Sequence, residues 1–114
     1  MARPVYVRNP TATVANILAA SQPCDLCGLV ASSTNAADAY LQIFAKAAAD
    51  VTIGTTTPDA VVIIPKTTGL VPLALSSVSY LHSETGWCYA VTTTDNGSTA
   101  MTYGNTIDLT FFMN

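Results

Sequence analysis

Charge is what this chain has least of. Only 10% of its 114 residues are Asp, Glu, Lys or Arg, where about a quarter is usual for a soluble domain. The four basic side chains, Arg3, Arg8, Lys46 and Lys66, are scattered, and the formal net charge is -3. A nucleic-acid binder needs clustered Lys and Arg to displace phosphate counterions, so no nucleic-acid partner is expected. Long apolar runs are also missing. The stretch from Ala12 to Ala20 is broken by Thr13 and Asn16 and falls short of the ~20 residues that cross a bilayer, so no membrane partner is expected. With Pro4 and Pro10 nearby it is a poor secretory signal as well, which points to synthesis in a cytoplasm.

Catalytic residue types are equally scarce. The chain has one Glu, one His and six Asp. His82 lies near Ser76, Ser77, Ser79 and Ser83, but none of these serines sits in a Gly-x-Ser-x-Gly elbow, and chance accounts for Ser beside His in so Ser-rich a chain. Asp25, Asp38, Asp50, Asp59 and Asp95 read as caps and turns rather than as paired carboxylates for glycoside cleavage. The expectation is a protein that is not an enzyme, with no catalytic residues.

Three cysteines, an odd number, exclude a complete disulfide framework and favour a reducing compartment. Cys24 and Cys27 form a Cys-x-x-Cys pair that His82 and Cys88 would complete as a Cys3His zinc site. A second tight pair is lacking, so the cysteines are read as small buried apolar groups, with no metal and no cofactor. A thioredoxin-like role is disfavoured because the motif runs into a strand instead of a strand-to-helix turn. Asp95, Asn96 and Gly97 would open a calcium loop, but no carboxylates follow at alternating spacing, and a hairpin tip is expected there.

Half of the residues are hydrophobic, and 17 Thr with 8 Ser supply most of the polarity. A surface of hydroxyls hydrogen-bonds well and repels other copies poorly. It suits an interface, and a homodimer or homotrimer is expected. The dominant pattern is period-two alternation of β-branched, small and aromatic residues between Gly, Pro, Asn and Asp punctuation. It predicts strands over Leu26 to Ser32, Ala39 to Lys46, Ala60 to Ile64, Val71 to Ser76, Gly86 to Thr93 and Thr106 to Met113. In the last of these, Ile107, Leu109, Phe111 and Met113 alternate with Thr106, Asp108 and Thr110, as a half-buried antiparallel strand requires. Gly54 with Pro58 and Asp59, Thr68 with Gly69, and Asp95 to Gly97 mark turns. A helix over Ala36 to Asp50 is the main rival reading, supported by alanine content and opposed by the β-branched residues that follow.

The fold class expected is all-β: a small antiparallel β-sandwich or jelly-roll-like domain over residues 23–114, preceded by an extended N-terminal arm over residues 1–22. Pro4 and Pro10 forbid a regular helix in the arm, while Val5, Tyr6, Val7, Val14, Ile17 and Leu18 are too apolar to stay in water, so the arm is expected to dock on a neighbour. Trp87 and Tyr89 offer a sugar-binding platform, with core or interface packing the favoured alternative. The residues expected at a partner or subunit interface are Val5, Tyr6, Val7, Ile17, Leu18, Trp87, Tyr103 and Phe112.

The stretch from Ala39 to Pro65, AYLQIFAKAAADVTIGTTTPDAVVIIP, resembles a pattern in small virion proteins of tailed bacteriophages. There a Tyr-Leu-x-x-aromatic strand with a nearby Lys precedes a Val-x-Gly-Thr-x-Thr-Pro turn and an alternating strand ending in Pro. Tyr40, Leu41, Phe44, Lys46, Gly54, Thr55, Thr57 and Pro58 carry the match, and Gly86 to Met113 looks like its continuation. The resemblance implies a capsid decoration or cement protein located on the virion, with the major capsid protein as partner. A head fibre or another carbohydrate-binding or host-attachment β-sandwich is the alternative.

Overall fold

The computed structural model describes residues 3–18, 22–66, 71–74, 81–104 and 106–114. Among them the chain forms β1 (Arg3–Arg8), β2 (Ala15–Asn16), β3 (Cys24–Ser33), β4 (Ala39–Phe44), a 3-10 turn (Ala48–Asp50), β5 (Ala60–Ile64), β6 (Val71–Ala74), β7 (Leu81–Ser83), β8 (Cys88–Thr92) and β9 (Ile107–Met113). The segment that invited a helical reading divides into β4 and the 3-10 turn. Tyr, Leu, Ile and Phe fill a pleated surface, and of the alanines that favour a helix only Ala39 lies in β4, the others standing before or after it.

Every pairing is antiparallel, in two sheets. Sheet A has the order β1-β9-β3-β6, with β7 beside β6 as a second partner of β3, and sheet B has the order β2-β8-β4-β5. The pairs nest along the chain. β4 pairs with β5, β3 with β6 and β7, β2 with β8, and β1 with β9, so the chain is one long hairpin rolled into a sandwich. That nesting is the order of a jelly roll.

The sheets face each other across an apolar core. Leu26, Leu29, Ala31, Ile107, Leu109, Phe111 and Met113 come from sheet A, and Ala39, Leu41, Ile43, Ile64, Tyr89 and Val91 from sheet B. Tyr89 and Phe111 join the two layers, with ring centroids 5.0 Å apart. β9 has the alternation expected of it, its odd-numbered residues buried and its even-numbered ones half-exposed. β3 carries a bulge between Leu26 and Gly28, where the register to β9 shifts by one residue at Cys27.

The expected N-terminal arm is not a separate element. β1 pairs along its whole length with β9 of the same chain, from Arg3 opposite Met113 to Arg8 opposite Asp108. Asn9 then turns the chain at φ 49°, a left-handed conformation that Asn tolerates, and its Oδ1 accepts from the Ile107 amide at 2.9 Å. Residues 11 to 17 run along β8: the Val91 amide donates to the Thr11 carbonyl and the Ile17 amide to the Trp87 carbonyl. Of the apolar residues read as needing a partner, Val5, Val7, Ile17 and Leu18 find it within their own sandwich, with Ile17 only 5% exposed, whereas Tyr6 stays exposed.

Among the described residues no helix is long and apolar enough to cross a membrane. The strand expected from Val71 to Ser76 is seen as β6 up to Ala74; its last two residues, like the turn at Thr68 and Gly69, lie outside the described residues.

Candidate functional site

The outer faces of the two sheets differ. On sheet B the outward residues Gln42, Phe44, Cys88, Ala90 and Thr92 are all fully buried, because two loops fold over them. The connection from β4 to β5 lies against Asn16, whose Oδ1 accepts from the Ala48 amide at 2.9 Å. The loop after β8 turns at Thr94 to Gly97, at the hairpin tip read from Asp95, Asn96 and Gly97, and its Gly97 carbonyl accepts from Gln42 Nε2 at 3.1 Å. Gln42 Nε2 also donates to Thr92 Oγ1 at 2.7 Å, and that hydroxyl in turn donates to the Thr94 carbonyl. The two loops meet at Gly54, which lies close to Ser98 and whose φ of +84° strains any residue with a side chain.

The outer face of sheet A is the more exposed one across β1, β9 and β3. Across β1, β9 and β3 the rows read Pro4, Phe112, Gly28; then Tyr6, Thr110, Val30; then Arg8, Asp108, Ser32. Tyr6 is 58% exposed, and Val30, Thr110 and Phe112 are half-buried. One polar cluster is built into this surface. Tyr6 donates its hydroxyl to Asp108 at 2.6 Å, and Arg8 Nε reaches Asp108 Oδ1 at 2.9 Å and the Tyr6 oxygen at 3.1 Å. Hydrogen bonds from Tyr6 first and Arg8 second hold the Asp108 carboxyl below its ordinary range, and those to Asp108 first and Tyr6 second push the Arg8 guanidinium up. The cluster ties the Tyr6 and Arg8 side chains of β1 to Asp108 of β9.

No family model, curated protein or solved structure matches this chain.

Of the eight residues expected at an interface, the fold brings two together on an open surface, Tyr6 and Phe112. Val5 and Val7 turn to the core side of β1, Ile17 and Trp87 are buried, and Leu18 is half-buried against the core. Tyr103 is half-buried with its hydroxyl donated to the Pro10 carbonyl, and burial pushes that phenol up to about 12. Trp87 at 4% and Tyr89 at 9% exposure form no surface platform for a sugar ring. Sequence reasoning missed Val30, which strict alternation sets on the side of the buried Leu26 and the bulge at Cys27 turns outward, and Val61 and Ile63 on β5, which are 38% and 54% exposed.

The zinc constellation does not assemble. Cys24 is buried on β3 in sheet A, while Cys88 lies on the loop-covered outer face of sheet B, where burial pushes its thiol up to about 11. Among the described residues no three His, Cys, Asp or Glu side chains group to hold a metal ion. His82 sits instead between two carboxylates, Nδ1 2.6 Å from Asp25 Oδ1 and Nε2 3.0 Å from Glu84 Oε1. Ser83 donates its hydroxyl to the Gly86 carbonyl at 2.7 Å, and Ser76, Ser77 and Ser79 lie outside the described residues.

Proposed function

We propose that the protein is a structural virion component, a capsid decoration or cement protein that lays the outer face of sheet A on the major capsid protein. The observation that carries this reading is the inequality of the two faces. Among the described residues, one is covered by the protein's own loops, whereas the other presents Tyr6, Val30, Thr110 and Phe112 between two charge clusters, Arg8 with Asp108 and His82 with Asp25 and Glu84. An aromatic, hydroxyl-rich surface of low net charge loses little on desolvation and buries apolar area when it docks. Jelly rolls recur in viral capsid and lectin domains, which supports the reading by analogy of fold. The resemblance of Ala39 to Pro65 to tailed-phage virion proteins points the same way. On a particle, many copies bridging neighbouring capsid subunits would add weak contacts into a shell that resists internal pressure.

The test is co-sedimentation of the purified protein with expanded capsid shells. Wild type is expected to saturate the shells at a fixed copy number. Phe112→Asp with Thr110→Asp, both on the open face, is expected to abolish binding while leaving the circular dichroism unchanged. Undiminished binding by that folded variant would reject sheet A as the docking face, and no binding by wild type would reject the capsid reading.

A further inference from the structure

The edges of the two sheets, like the faces, are unequally protected. An edge strand presents a row of unpaired backbone groups to any other strand, and natural proteins blunt such edges with charge, proline, bulges or brevity. β1 carries Arg3, Pro4 and Arg8, β2 has two residues, β6 contains Pro72, and β7 has three residues. β5 has none of these devices. Ala60 to Ile64 is five residues of AVVII, without charge, proline or bulge, in unbroken register with β4. Among the described residues no strand pairs with its far side. Val61 and Ile63 are exposed on its outer face, where Ile63 adjoins the half-buried Tyr40.

We infer that this edge is where a second copy of the chain binds, β5 to β5 in antiparallel register about a two-fold axis, joining the two B sheets into one continuous sheet. The strand is complementary to itself. A two-fold axis normal to an antiparallel pair sets one residue opposite its own copy. With Val62 at that position, Val61 of each chain stands opposite Ile63 of the other on the outer face, and Ala60 opposite Ile64 on the core side. The four outer side chains then make one apolar strip, in the cross-strand pairing that stabilises sheets. Charge fits the same geometry. Asp59, which accepts from the Ala45 amide, precedes the strand, and Lys66, whose amide donates to Asp38, follows it, both exposed, so antiparallel pairing brings Asp59 of each copy near Lys66 of the other. The remaining surface has little charge with which to oppose association. The occupant is therefore a second copy, bound by backbone hydrogen bonds and matched apolar side chains.

This inference does not rest on the capsid reading, and its test uses no particles. Sedimentation velocity across micromolar concentrations is expected to show a dimer for wild type and a monomer for Ile63→Lys, with the dissociation constant raised about tenfold or more. Ile63 is more than half exposed, so the variant should keep wild-type circular dichroism. Hydrogen exchange on wild type gives an independent reading: amides of 60–64 should gain protection as concentration rises, and those of β1 should not. Phe112→Asp, on the other sheet, should dimerise as wild type does. A monomeric wild type, a trimer, a dimer unaffected by Ile63→Lys, or concentration-dependent protection confined to β1 would each overturn the assignment.

Discussion

The imidazole of His82 bridges the carboxylates of Asp25 and Glu84, so its charged form has an acceptor for each ring proton. Those contacts, Asp25 first, raise its pKa above the ordinary 6.5. A raised histidine pKa stabilises the fold fully below the unfolded value, and that contribution is lost as pH rises through the folded one. His82 should therefore titrate above 6.5 by NMR, and Asp25→Asn should lower its midpoint more than Glu84→Gln does. Melting temperature should fall less between pH 6 and 9 in His82→Gln than in wild type; parallel curves would show that the bridge adds nothing to stability. Gln42 works through packing instead. Fully buried, it ties Thr92 and the loop carbonyl of Gly97 to sheet B, so Gln42→Ala should cost about 2–3 kcal/mol by chemical denaturation.

Among the elements, β1 is the one whose role differs most from its reading as an arm. Prolines and flanking arginines describe an exposed strand at the margin, which β1 is, but they do not say whose sheet it borders. The answer lies more than a hundred residues away, in Phe111 and Leu109, which stand opposite Val5 and Val7. Deleting residues 1–21 removes two strands and uncovers the apolar interior beside β9 and β8. The truncated chain is expected to lose its β-type circular dichroism and cooperative melting. Retention of both would show that 22–114 folds without β1 and β2.

At the scale of the whole molecule, the outermost pair of the rolled hairpin joins the two ends of the chain. Arg8 and Asp108, in contact at 2.9 Å, are 100 residues apart in sequence. Loop closure over such distances must precede the contacts that offset it. Refolding from denaturant should accordingly take roughly milliseconds to seconds, as for other sandwiches dominated by non-local pairing. Microsecond refolding would mean that a local nucleus, such as β4 with β5, suffices to set the topology.

Strand positions could be read directly from the residues, because the two-residue period of a pleat is local and β-branched side chains state it plainly. Ala60 to Ile64 and the odd-numbered residues of Ile107 to Met113 needed no tertiary information. Partnership was another matter. Alternation marks which residues of β4 face opposite ways, but not that both faces are buried, since Gln42 and Phe44 are covered by loops whose paths depend on the completed sandwich. For the same reason Val5, Val7, Ile17 and Trp87 were legible as apolar residues in need of burial, yet the choice between a neighbour and their own core belongs to strand order. Side-chain pattern is a property of adjacent residues; strand order is set by contacts across the length of the chain, and it alone decided that the first strand closes on the last and that, among the described strands, β5 stands at the edge of its sheet.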